Sequence, residues 1–181
     1  VGHSLWLSFH TLLMNDSFEH PRIVRPDEGE RIQIGGFGTT YKIRSTEAAG
    51  GAAVIEHTLA PGALAAPMHR HTHEDEITCV LEGEVTIQQG EEVTTAEAGA
   101  YVLKPRGIFH TFWNGGSSPA RLIEIVAPGG FERYFEELQR IIPAEGPPDM
   151  AQLLALAARY GLEFDLSSLP VLMERHGVRL T

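Results

Sequence analysis

The 181-residue chain is short of several things, and each shortage removes a class of function. It has a single cysteine, Cys79, which rules out an internal disulfide framework and a cysteine-based zinc cluster. A lone thiol is consistent with a reducing, cytoplasmic setting. Basic residues are outnumbered, 14 Lys and Arg against 24 Asp and Glu, for a formal net charge of -10, and no block of Lys or Arg stands out. Nucleic-acid phosphates and anionic membranes both require a basic face, so neither is expected as a partner. No apolar run approaches the ~20 residues needed to cross a bilayer. The opening Val1-Gly2-His3-Ser4-Leu5-Trp6-Leu7-Ser8-Phe9 is apolar but lacks a basic n-region and a small-residue cleavage site, so it is not read as a signal peptide. Met14 offers a natural start, and residues 1–13 read equally as an upstream extension or as a segment packed on a neighbouring surface. Alternation of strands with helices is also missing, which disfavours a parallel α/β sheet.

What is present describes one domain with a substantial core. Hydrophobic residues make up 43% and charged residues 21%, ordinary values for a globular protein. Residues 15–30 are polar, carry Pro21 and Pro26, and read as an extended lead-in. From Thr39 onward come short runs of strand-forming residues closed by Gly, Pro or Asn: Thr39–Arg44, Ala52–Leu59, Glu76–Glu82, Glu84–Gln89, Glu92–Ala96, Ala100–Leu103, Phe109–Trp113 and Arg121–Val126. Many short strands with regular turns predict a sandwich or a barrel. After Gly130 the period changes from 2 to 3.6. Phe131, Tyr134, Phe135, Leu138, Ile141 and Ile142 share one helical face. Pro143–Pro148 reads as a linker, Asp149 as the N-cap of a helix over Met150–Tyr160, and Gly161 as its stop, with a last helix over about Leu169–His176. The division is an N-terminal extension over 1–30, a barrel over 31–130 and a helical tail over 131–181. The tail's apolar faces should cover the barrel or a subunit partner.

The chemistry concentrates in His69-Arg70-His71-Thr72-His73-Glu74-Asp75-Glu76. In a strand, residues two apart face the same side, so His69 and His71 can aim two imidazoles at one point. Imidazole and carboxylate are metal-ligand types. His69-x-His71 leaves four residues before Glu76, whereas His71-x-His73 leaves two, a tight reach if Glu76 opens the next strand. The set chosen is therefore His69, His71 and Glu76. His73 is placed at the turn, as an exposed residue ahead of a substrate contact, and Glu74 and Asp75 are read as solvated turn acids. The fourth ligand should come from another strand. His110, just beyond the Pro105-Arg106-Gly107 turn, is the best candidate, with Ile108 and Phe112 on its inward face and Thr111 and Trp113 pointing out.

These residues resemble a known family. Gly62…His69-x-His71-x4-Glu76-x6-Gly83 resembles the first cupin motif, with one extra residue between Gly62 and His69, and Gly99-x5-Pro105-x-Gly107-x2-His110-x3-Asn114 resembles the second throughout. The wider pattern, including Pro128-Gly129-Gly130-Phe131-Glu132 and the tail, is similar to single-domain quercetin-dioxygenase-like cupins. The resemblance implies an all-β double-stranded β-helix (jelly-roll) barrel with a short C-terminal helical extension. It implies one divalent transition metal, Fe, Mn, Ni, Cu or Zn, held by His69, His71, Glu76 and His110. It also implies a homodimer, for which the tail helices and Trp6, Leu7 and Phe9 are candidate contacts.

Strand parity from Glu76 turns Thr78 and Val80 inward, and Phe112 shares the face of His110. These three form a mostly apolar wall suited to an aromatic or aliphatic substrate bearing oxygen groups, or equally they fill a narrow barrel. A divalent ion with one carboxylate leaves a net charge of about +1, which favours an anionic or enolate-forming small molecule. The resulting expectation is a metal-dependent dioxygenase-like oxidoreductase acting on an enol, enediol or aromatic substrate, with Glu76 as the proton-abstracting base. The alternatives are a metal-dependent isomerase, epimerase or decarboxylase, and a non-catalytic module that binds a small molecule or a metal.

Overall fold

A computed structural model describes residues 21–143 and 148–180. The apolar opening with Trp6, Leu7 and Phe9, residues 15–20 of the polar lead-in, and the middle of the Pro143–Pro148 linker lie outside the described residues.

The chain folds because period-2 sequence can bury one face. The strand β3 (Ala53–Leu59) alternates fully, with Ala53, Ile55, His57 and Leu59 buried and the residues between them half-exposed. It pairs antiparallel with β2 (Phe37–Ile43) on one side and β11 (Ala120–Ala127) on the other. Beyond β11 lie β6 (Asp75–Glu82) and then β9 (Tyr101–Lys104). A strand that the sequence reading left unassigned, β1 (Glu30–Ile34), closes the other edge through a tight turn at Gly35, whose φ of 50° lies in the left-handed region. Only Ile32 of β1 is buried, so its hydrophobic pattern is weak. The six strands run in the order β1-β2-β3-β11-β6-β9.

The second sheet faces the first. It contains β4 (Ala63–Leu64), β5 (Met68–His71), β7 (Glu84–Gln89), β8 (Glu92–Glu97) and β10 (His110–Trp113). β10 is central, pairing with β4, β5 and β7, and His110 lies directly opposite His69. Phe37, Leu59, Val80, Val85, Ile87, Phe112 and Leu122 fill the space between the sheets. Each such side chain contributes roughly 1.5–3 kcal/mol of burial.

The tail carries the expected helices, α1 (Arg133–Ile141), α2 (Met150–Arg159) and α3 (Ser168–His176). Asp149 caps α2 through Ala151 N at 2.9 Å and Gln152 N at 3.3 Å. The tail is not purely helical. After Gly161, β12 (Leu162–Asp165) runs antiparallel to β5, with Leu162 opposite His71 and Phe164 opposite His69, while β13 (Arg179–Leu180) pairs in parallel with β4. The tail therefore extends the sheet that carries the histidines as well as covering the barrel.

This covering corrects the reading of β10. Trp113 and Thr111, expected to point out, are buried at 2% and 0% exposure, because Trp113 packs with Leu64, Met68, Leu172 and Val178 beneath α3. Ile108 is 44% exposed. It lies in the turn before β10 begins, so strand parity does not reach it.

Candidate metal centre

Three strands bring the four expected ligands together. β5 supplies His69 and His71 on its inward face, β6 supplies Glu76, and β10 supplies His110. One ligand atom from each lies within 4.8 Å of the others, and all four residues are buried. Glu76 faces the imidazoles: its Oε1 lies 3.3 Å from His71 Nε2 and its Oε2 3.0 Å from His110 Nε2.

The rings are oriented from behind. His69 Nδ1 lies 2.9 Å from the Pro67 carbonyl and His110 Nδ1 lies 3.1 Å from the Ile108 carbonyl. A carbonyl can only accept, so each Nδ1 must carry its proton, and the Nε2 lone pair is left facing the cluster. His71 Nδ1 faces Glu74 Oε2 at 3.6 Å. Glu74 is therefore not a solvated acid: it is 8% exposed and stands behind a metal-type ligand. Phe131 meets the His71 ring edge-on at 4.3 Å, and Phe164 of β12 meets His69 edge-on at 6.0 Å.

The electrostatics favour neutral imidazoles at His69 and His110 and an anionic carboxylate at Glu76. Burial, reinforced by His110 and His71, holds His69 well below the usual imidazole range. Burial also lowers His110, against the opposing pull of Glu76. Burial alone would raise Glu76, but Lys104 and His71 outweigh it and hold the carboxyl well below its ordinary range. Three imidazoles, two of them with the Nε2 lone pair left free, and one carboxylate are a donor set that a divalent transition metal fits. His69, His71, Glu76 and His110 would hold it.

Residues 55–126 match the family described as the cupin domain. The barrel that contains this stretch has the cupin fold. The cupin barrel is similar to KdgF from Halomonas sp., with a TM-score of 0.55 and 16% identity over 61% of this chain and 98% of that one. It is similar to a predicted oxalate decarboxylase from Thermotoga maritima, with a TM-score of 0.55 and 22% identity over 59% of this chain and 99% of that one. It is also similar to an RmlC-like cupin from Shewanella frigidimarina, with a TM-score of 0.53 and 16% identity over 62% and 96%. Likenesses at these identities concern the fold. No curated protein matches the chain. No helix among the described residues is long and apolar enough to cross a membrane.

The other residues singled out in the sequence take definite places in the barrel. Thr78, Val80 and Phe112 are buried at 2%, 1% and 7% exposure. Val80 and Phe112 belong to the barrel core, and Thr78 donates its hydroxyl to Glu124. His73 is exposed and lines a 390 Å³ pocket with Glu74, Phe131, Arg133 and Tyr160, on the outer side of His71. Arg106 forms an exposed paired contact with Asp75.

Sequence reasoning missed an ion pair inside the barrel. Lys104 is 0% exposed, and its Nζ lies 3.0 Å from Glu76 Oε2 and 2.8 Å from Glu124 Oε2. The signal was available. In Arg121–Val126 the inward positions are Leu122, Glu124 and Val126, and a charged residue at an inward position of a strand requires a partner. His57, read as a packed or surface histidine, is packed: it is 1% exposed, stacks on Phe37 at 4.6 Å, and shares a hydrogen bond with Thr39 Oγ1 at 3.1 Å.

Proposed function

We propose that this cupin is a divalent-metal-dependent enzyme acting on a small enol, enediol or aromatic substrate, with the oxygenase chemistry of the quercetin-dioxygenase-like subgroup. The observation that carries the reading is the buried cluster of His69, His71, Glu76 and His110, with the backs of His69 and His110 anchored on carbonyls. A bound metal would supply Lewis acidity and exchangeable positions for substrate oxygen and O2. The chain's own residues do the rest. Glu76, held anionic by Lys104, is the group that takes the substrate proton. Val80 and Phe112 give the site an apolar wall, and Thr78 contributes through Glu124, to which it donates its hydroxyl. The net charge of about +1 suits an anionic substrate.

Metal analysis of the purified protein comes first, followed by oxygen uptake with iron-, manganese- or nickel-loaded protein and flavonols or simpler enediols. Stoichiometric metal with substrate-dependent uptake is expected. No uptake with any metal removes the oxygenase reading.

A second reading has one observation in its favour. Burial pushes the Glu124 carboxyl up to about 7, against the pull of Lys104. A carboxyl that exchanges protons near neutrality beside the site suits isomerisation or decarboxylation without oxygen. Turnover under anaerobic conditions distinguishes the two. The proposal includes a homodimer, and sedimentation velocity at micromolar concentration tests it, a single species of monomer mass removing that part.

A further inference from the structure

The buried lysine lies against the carboxylate of the candidate centre, and its arrangement assigns it work there. β11, β6 and β9 are neighbouring strands, and on their inward face Glu124, Glu76 with Thr78, and Lys104 stand side by side. Lys104 is directly opposite Glu76 in the strand register. Its ammonium is placed from every side: Glu76 Oε2 at 3.0 Å, Glu124 Oε2 at 2.8 Å, and the face of the Phe112 ring with its centroid 4.7 Å away. Glu124 is fixed in turn by the Thr78 hydroxyl, 3.1 Å from each of its oxygens.

Stability alone does not account for this group. Removing charges from water is expensive, and apolar residues of similar volume usually serve a core as well or better. The same barrel fills its other inward positions with Leu59, Val80, Ile87, Phe112 and Leu122. Here a cation, held by its own counter-ion, is placed against one oxygen of one carboxylate.

A carboxylate can ligate a metal through one oxygen or through both. In Glu76 each oxygen faces one imidazole, Oε1 that of His71 and Oε2 that of His110, but only Oε2 also receives Lys104. We propose that Lys104, anchored by Glu124, is the positioning residue of the metal centre: it occupies Glu76 Oε2 and so restricts Glu76 to ligation through a single oxygen. This rests on His69, His71, Glu76 and His110 being a metal site. The consequence is that a second position, which a chelating carboxylate would take, stays free for substrate. Glu124 also pairs with the lysine, so the ammonium at Glu76 is held in place by a partner of its own.

The test uses the full chain loaded with Co2+, whose d–d absorption reports coordination number and geometry. The double variant Lys104→Met/Glu124→Gln removes the pair while leaving its summed charge unchanged. Wild type should bind one Co2+, and the double variant should bind it about 10- to 100-fold more weakly, the usual loss when an outer partner of a ligand is removed. Its d–d spectrum should shift as Glu76 gains use of Oε2. Wild-type affinity with a wild-type spectrum in the double variant overturns the proposal. Failure of wild type to bind Co2+ overturns instead the metal reading on which it rests. If the double variant does not fold, Lys104→Met alone serves. Its affinity carries the extra charge of Glu124, but its spectrum must still shift, and an unchanged spectrum overturns the assignment.

Discussion

Glu74 Oε2 lies 3.6 Å from His71 Nδ1, and each atom is buried without a hydrogen-bond partner among the described residues. The other two imidazoles of the cluster have a carbonyl at the equivalent nitrogen. Glu74 therefore stands where His71 needs an acceptor, three residues along the chain and close enough for a small rotation to join them. A carboxylate behind a ligating imidazole fixes its tautomer and raises its basicity. Replacing Glu74 with Leu should weaken Co2+ or Zn2+ binding by about 10- to 100-fold, while Glu74→Gln, which keeps an acceptor oxygen, should lose less. Competition against a chelator of known affinity measures both. Equal affinities for wild type and Glu74→Leu would show that the pair has no role at the metal.

The ligand set itself makes a sharper prediction. Metal that binds only the folded protein stabilises it by about 2.7 kcal/mol at 100 times its dissociation constant. For a domain of this size that raises the melting temperature by roughly 5–10 °C. The increase should vanish in His69→Ala, His71→Ala and His110→Ala. A full increase retained in any one of them removes that histidine from the site.

The cluster of His69, His71, Glu76 and His110 and the barrel were legible because both rest on local patterns. Alternation of buried residues recurs along β3 and β11, and the histidine spacing fixes which imidazoles share a face. The strand β12 was harder to see. Leu162-Glu163-Phe164-Asp165 alternates, but it is four residues long and sits between helices. Its partner β5 lies about ninety residues earlier, and no local pattern encodes that pairing. The inward side of Trp113 has the same origin: strand parity gives two faces, and only the docked tail shows that both are covered. Glu74 was misplaced because an acid in a turn is usually solvated, and burial there comes from the tertiary packing of the site.

Acid should destabilise the metal-free protein by way of His57. Burial, with Lys104 adding to it, lowers the His57 imidazole from 6.5 to about 4. The unfolded chain thus takes up a proton as pH falls through 6.5, while the folded chain resists until about 4. The stabilisation is complete above 6.5 and is lost as pH falls toward 4, at about 1.4 kcal/mol per pH unit and about 3 kcal/mol in all. His69 and His110 are shifted in the same direction and steepen the loss. Urea unfolding of metal-free wild type and His57→Phe across this range measures the difference. The variant should show a slope shallower by about one proton, and identical slopes would mean that His57 is not held neutral.

The tail should act on the centre through β12. Leu162 is 5% exposed and lies opposite His71, so Leu162→Ala removes buried contact at the edge of the strand that carries two histidines of the cluster. A large-to-small change at such a position costs about 2–4 kcal/mol. The loss should be local before it is global, because β5 then has a weakened neighbour on one side while β10 still holds the other. Hydrogen exchange should therefore accelerate in the segment 68–71 more than in β3, which pairs with β2 and β11 and not with the tail. Equal acceleration in both segments would mean that β12 supports the whole barrel. No acceleration in 68–71 would mean that it supports nothing at the metal strand. Under the expected outcome, metal affinity falls together with the protection of 68–71, since the two imidazoles of β5 keep their alignment only while the strand stays paired.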